Sequence, residues 1–168
     1  MKPILFLDVD GVLNDHTFDA IACSCTVDRA CVERLNQVIA ATDCEIVLSS
    51  AWRYLTFGAD GMTLKGLAYL LRTHWLHVDG RLVDTTAADP DLPASELSVL
   101  GPAIRAKQIL DWSEAHSPQS ECNWCVLDDL DLPLGKNSWR LVRTDGRRGL
   151  SDADAATAIR LLSGDQQE

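Results

Sequence analysis

Phe6-Leu7-Asp8-Val9-Asp10-Gly11-Val12-Leu13-Asn14 is the stretch on which the reading of this chain turns. The apolar run Ile4 to Leu7 stops at two carboxylates one residue apart, and a glycine follows. The run has no polar alternation, so it reads as a strand buried on both faces, as in parallel sheets covered by helices. On a continuing strand Asp8 and Asp10 would share a face, but Gly11 lets the chain turn there. Such a turn aims Asp8 at a substrate, faces the Asp10 carbonyl toward a cation and leaves the Asp10 side chain for proton transfer. The competing explanation is an acidic strand-to-helix turn that caps a helix.

Working outward, two more apolar strands end in polar clusters. Glu45 to Leu48 runs into Ser49-Ser50-Ala51-Trp52-Arg53, and Trp124 to Leu127 runs into Asp128-Asp129-Leu130-Asp131. In open parallel sheets ligands bind beyond the carboxyl ends of the strands, where the winding reverses. Parallel strands would therefore bring all of these clusters to one edge. Gathered carboxylates repel, and a cation or a proton relieves that repulsion. Mg²⁺ suits such a set, since it takes hard oxygen ligands and binds through one or two carboxylates plus substrate phosphate. Together the clusters outweigh the helix-cap explanation.

Between the clusters the periodicity alternates. Val27 to Ala41 places Val27, Ala30, Cys31, Leu35, Val38 and Ile39 at helical spacing, with Thr26 or Asp28 as the cap. Met62 to Trp75 and Ala103 to Ala115 predict two more helices, the latter with Ile104, Ile109 and Trp112 inward. Gly80 to Thr85 and Trp139 to Val142 predict short strands, with a proline-rich loop over Ala87 to Gly101. Asp152 to Leu162 closes as a helix behind Ser151 as N-cap. The alternation predicts an α/β three-layer sandwich around a parallel sheet of about five strands, the Asp8 strand central. No repeat, low-complexity tract or linker divides it, so residues 1–168 are expected to form a single domain.

The bulk numbers set limits. The 168 residues, 46% hydrophobic and 24% charged, suffice for a packed core. No apolar run approaches the roughly 20 residues that span a bilayer. The first strand meets Asp8 too early for a signal-peptide core, so a cytoplasmic protein without a membrane partner is expected. A net charge of -10 argues against loose binding to nucleic acid or anionic lipid. A local basic groove stays open: Arg140, Arg143, Arg147 and Arg148 are close in sequence, against the alternative of a solvated edge. Trp52 and Trp75 either stack on a base or fill the core. Cys122-Asn123-Trp124-Cys125, with Cys23, Cys25 and Cys31, offers ingredients for zinc, but reduced thiols, with Cys44 and Cys125 as small buried residues, are the simpler expectation. His16, His74, His77 and His116 show no partner pattern.

The motifs resemble those of the haloacid dehalogenase (HAD) superfamily. Phe6 to Asn14 looks like its motif I, Ile46-Val47-Leu48-Ser49 its motif II, and Val126-Leu127-Asp128-Asp129 the paired-aspartate form of motif IV. Within the superfamily the chain is most similar to small HAD domains of RNA-repair proteins, whose patterns match Ser49-Ser50-Ala51-Trp52-Arg53, Arg105 to Trp112 and Gly149-Leu150-Ser151. The resemblance implies a HAD-like Rossmannoid fold and an Mg²⁺-dependent phosphohydrolase. It implies Asp8 as the nucleophile that becomes a phosphoaspartate, and Asp10 as acid and base. Ser49 would hold phosphoryl oxygens, with Ser50 and Arg53 as substrate-binding neighbours. Arg105 or Lys107 would supply the motif III cation. Arg105 is preferred by register, Lys107 by residue type. The implied metal set is Asp8, the Asp10 carbonyl and Asp129, with Asp128 holding the cation or a metal-bound water.

HAD enzymes choose substrates through caps inserted after motif I or between motifs II and III. Here the first interval is short, and most of the second is needed for the core, so no full cap domain is expected. An open site suits a phosphorylated small molecule or a nucleic-acid end. The alternatives are a phosphotransferase or mutase, which normally needs a larger closing cap, and a non-catalytic metal-binding interaction domain.

Overall fold

The computed structural model describes residues 2–15, 27–50, 52, 64–73, 76–78, 80–86, 101–116 and 122–164. Strand β1 (Ile4–Leu7) is buried at every position, as its unbroken apolar run demands. It pairs in parallel with β2 (Glu45–Leu48) on one side and β4 (Trp124–Asp128) on the other, Leu5 lying opposite both Ile46 and Cys125. Outside these lie β3 (Leu82–Thr85), parallel to β2, and β5 (Leu141–Arg143), parallel to β4. The order is β3-β2-β1-β4-β5, with β1 central. The chain winds outward from β1 to β3, then crosses to the other side, so the winding reverses between β1 and β4. That is where an open parallel sheet leaves a crevice at its carboxyl edge.

Alternation along each strand feeds two cores. Leu5, Leu7, Ile46, Leu48, Cys125 and Leu127 face helices α1 (Arg29–Thr42) and α4 (Asp152–Ser163). Leu71 of α2 (Leu64–Thr73) joins the same core. Ile4, Phe6, Val47, Trp124 and Val126 face the opposite way, toward Ala106 and Ile109 of α3 (Pro102–His116). Helices thus cover both faces of the sheet, and the α/β sandwich expected from the alternation is what forms. Asp28 starts α1 by accepting from the Ala30 amide, and Ser151 starts α4 through a reciprocal capping box with Asp154.

Two expectations need correction. Ile104 was expected inward, yet it is 40% exposed, and the buried positions of α3 are Arg105, Ala106 and Ile109. A charged residue inside a helix face violates the apolar pattern, and no periodicity argument finds it. The fifth strand was expected to begin at Trp139. Instead a 3-10 helix (Gly135–Arg140) precedes β5. Arg140 lies between the rings of Trp124 and Trp139, 4.5 and 4.2 Å from their centroids, and donates to the Trp124 carbonyl at 2.9 Å. This stacking turns the Trp139-Arg140 pair out of the ladder and removes Arg140 from any surface groove.

The turn between β5 and α4 braces the loop after β1. Thr144 Oγ1 donates to the Gly11 carbonyl at 2.7 Å, and the Leu150 amide donates to the Val12 carbonyl at 2.8 Å. Gly149 makes the approach possible: its φ is +65°, and a Cβ there would lie 2.7 Å from Cys31 Sγ. The intervals that decide the cap expectation, 16–26, 53–63 and 87–100, lie outside the described residues. Among the described residues no helix is long and apolar enough to cross a membrane.

Candidate active site

Four strands deliver polar side chains to the carboxyl edge: Asp8 after β1, Ser49 and Ser50 after β2, Asp128 and Asp129 at the end of β4, and Thr144 after β5. Gly11, at φ +77°, ends the extended backbone where the sequence called for a turn.

Asp8 is 3% exposed, and its carboxylate accepts from the Val9 amide at 2.8 Å. Nη1 of Arg105, in the first turn of α3, donates to Asp8 Oδ2 and also to Asp128 Oδ2, the latter at 2.8 Å. The other Asp128 oxygen accepts from the Leu130 amide at 2.9 Å. One guanidinium is thus held between two buried carboxylates. Burial pushes the Asp8 carboxyl up to about 7, against the pull of Arg105 and with the Asp128 charge adding to the rise. Burial likewise raises Asp128. One guanidinium cannot offset two buried carboxylates, so the pair calls for a proton or a further cation.

Carboxylate oxygens of Asp8, Asp128 and Asp129 lie within 4.8 Å of one another. Three hard oxygen donors with uncompensated charge are the donor set that fits Mg²⁺. Among the described residues no cysteine joins a cluster that could hold a metal. Cys31, Cys44, Cys122 and Cys125 are buried free thiols whose pKa values burial raises, while Cys23 and Cys25 lie outside the described residues.

Ser49 is fully buried, and its hydroxyl has no hydrogen-bond partner among the described residues. An orphaned buried hydroxyl at the edge where ligands bind is a donor awaiting an acceptor. Ser50 is buried beside it and hydrogen-bonds to Asp8. Lys107 does not reach the site: it is exposed and pairs with Asp111 one helical turn away. Of the two motif III candidates, the geometry brings only Arg105 to the aspartates. Arg53 lies outside the described residues, as do Trp75, His16 and His74.

Asp10 is half-buried and held by side chains for which no role was assigned from sequence. Asn14 Nδ2 donates to its Oδ1 at 2.9 Å, and the Trp52 indole N–H lies 3.1 and 3.2 Å from its two oxygens. Trp52 was expected either to stack on a base or to fill the core; at 5% exposure it has no ring face open for stacking. Its place in the Ser-Ser-x-Trp-Arg pattern was the available signal. Beyond Asp129 the edge opens into a cavity of about 520 Å³ lined by Asp129, Arg143, Thr144, Asp145, Gly146 and Arg147. The basic groove left open by the sequence therefore has Arg143 and Arg147 in it, without Arg140.

A parallel sheet with its aspartates gathered at the switch point defines a HAD-type α/β domain. The chain belongs to the family described as the HAD domain in Swiss Army Knife RNA repair proteins, which it matches over residues 4–155. No curated protein and no solved structure matches the chain significantly.

Proposed function

We propose that this chain is an Mg²⁺-dependent phosphomonoesterase that works through a phosphoaspartate on Asp8, with nucleic-acid ends as its substrate class. The observation that carries the reading is the Arg105 guanidinium shared by Asp8 and Asp128 with Asp129 within metal-binding reach. Three carboxylates beside one guanidinium carry excess negative charge that a divalent cation would offset.

An Asp8 oxygen attacks phosphorus and becomes phosphorylated as the bond from phosphorus to the leaving oxygen breaks, while Asp10 gives a proton to that departing oxygen. Asp10 then takes a proton from the water that hydrolyses the acyl phosphate. The orphaned Ser49 hydroxyl donates to a phosphoryl oxygen, and Arg105 fixes Asp8 while offsetting phosphate charge. Asp8, Asp129 and the Asp10 carbonyl would hold Mg²⁺, with Asp128 anchoring Arg105. When bound, the ion neutralises charge shared by nucleophile and phosphate. Ser50 and Arg53 are the substrate-binding neighbours.

The family description supports the substrate class, and the groove gives it a physical basis. Arg143 and Arg147 line a cavity that starts at Asp129, so a chain leaving the scissile phosphate meets cations for its next phosphates. Phosphate release is the test, from p-nitrophenyl phosphate, mononucleotides and 5′- or 3′-phosphorylated oligonucleotides, with Mg²⁺ and with EDTA. Release only with Mg²⁺, highest kcat/KM on an oligonucleotide, and loss in Asp8→Asn are expected. No release from any ester with Mg²⁺ overturns the reading.

A further inference from the structure

The Trp52 indole and the Asn14 amide hold Asp10 unequally. Oδ1 receives Asn14 Nδ2 at 2.9 Å and shares the Trp52 N–H at 3.2 Å; among the described residues Oδ2 has only the other arm of that N–H, at 3.1 Å. Asn14 is itself fixed, because its Oδ1 accepts the Gly11 amide at 2.9 Å. A buried indole N–H needs an acceptor, and a backbone carbonyl would suffice. Here the acceptor is a carboxylate 42 residues away, across the sheet edge. Charge-assisted donors of this kind fix the plane of a carboxylate as well as its place.

The asymmetry decides where a proton sits. Both lone-pair directions of Oδ1 already accept, from Asn14 and from the shared Trp52 N–H, whereas Oδ2 accepts one arm of that N–H and keeps a second lone pair open. A proton on that open lone pair of Oδ2 leaves both the Asn14 and the Trp52 hydrogen bonds in place. We propose that Trp52 is a positioning residue that fixes the Asp10 carboxyl plane, while Asn14, by occupying Oδ1, leaves Oδ2 with the open lone pair for proton transfer. The inference rests on the phosphohydrolase reading. In the first step the Asp8–phosphorus bond forms, the phosphorus–leaving-oxygen bond breaks, and the Oδ2 proton passes to that oxygen. In the second, water oxygen bonds to phosphorus and the bond to Asp8 breaks, restoring its carboxylate. The proton from water returns to Asp10 Oδ2.

Leaving groups that differ in basicity separate this role from a packing role. 4-Nitrophenolate departs without a proton, whereas phenolate gains from one, and kcat/KM reports the steps up to its departure. Trp52→Phe should lower kcat/KM for phenyl phosphate about tenfold or more, and for 4-nitrophenyl phosphate less than about threefold, with KM little changed. Should Trp52→Phe fold poorly, 3-benzothienylalanine at position 52 replaces the N–H with sulfur at equal shape and should give the same split. An equal loss on both esters, or no loss on either, with wild type active, overturns the positioning role and leaves the function standing. A wild type that releases phosphate from neither ester with Mg²⁺ overturns the function, and this role with it.

Discussion

Asp8 and Asp128 share one nitrogen, Nη1 of Arg105, across strands that are neighbours in the sheet. Removing that nitrogen leaves two buried carboxylates facing each other. Arg105→Met should destabilise the metal-free protein by about 3 kcal/mol, the scale for breaking a buried ion pair. Mg²⁺ should restore part of that loss. Lys107→Ala, on the exposed side of the same helix, should stay within about 0.5 kcal/mol of wild type and keep its turnover. Chemical denaturation with and without Mg²⁺ checks both, and the opposite ranking would move the motif III role to Lys107.

Asp8→Asn should fold normally and lose phosphate release by a factor on the order of 10⁴ or more, because an amide oxygen is a poor nucleophile. Retained turnover would exclude the phosphoaspartate.

Protonation gives a second view of the same pair. In the native state the Asp8 carboxyl lies raised, at about 7, above its ordinary 3.8. Between those values the folded protein binds more protons than the unfolded chain, so stability falls as pH rises through the window. The metal-free protein should therefore lose melting temperature from pH about 4 to about 7. Asp8→Asn should flatten that slope, and saturating Mg²⁺ should do likewise by favouring the ionised form. A wild-type curve that rises across the window, without metal, would contradict the burial argument.

Asp128 and Asp129 should part company in calorimetry. Both Asp128 oxygens are engaged, by Arg105 and by the Leu130 amide, whereas the Asp129 carboxylate belongs to a residue that also lines the groove. Asp129→Ala should abolish Mg²⁺ binding and, with it, the stabilisation of about 2.7 kcal/mol expected at a hundred times the dissociation constant. Asp128→Ala should weaken binding less and harm the fold more. Reversed affinities would exchange their roles.

The groove is tested through salt. Arg147→Ala should leave 4-nitrophenyl phosphate turnover unchanged and raise KM for a phosphorylated oligonucleotide. It should also reduce the log–log salt slope of oligonucleotide binding by about 1. Equal KM on the oligonucleotide would remove Arg147 from the substrate path.

Local pattern made the sheet legible. Runs such as Ile4 to Leu7 and Glu45 to Leu48, short and ended by polar or turn residues, suit buried parallel strands, and both strands form with those bounds. The carboxyl-edge residues were legible for the same reason, since parallel strands must end together. What sequence did not reveal depends on partners distant in the chain. The resemblance pointed to Arg105, but the periodicity that placed Ile104 inward did not: Arg105 is the buried residue, paired with Asp8 and Asp128, and Ile104 is exposed. Trp139 leaves the strand because Arg140 stacks between two rings. Trp52 fills the core, one of the two uses its residue type allowed, but that its N–H reaches Asp10 depends on a fold contact the local pattern does not carry.

The brace between Thr144 and Gly11 spans 133 residues. During synthesis the Asp8–Asn14 loop leaves the ribosome long before the turn that locks it. Long-range closure of this kind is the slow part of folding. A nascent chain can thus carry Asp8 and Asp10 without the rigid geometry of the folded loop, which arrives only when the β5–α4 turn docks.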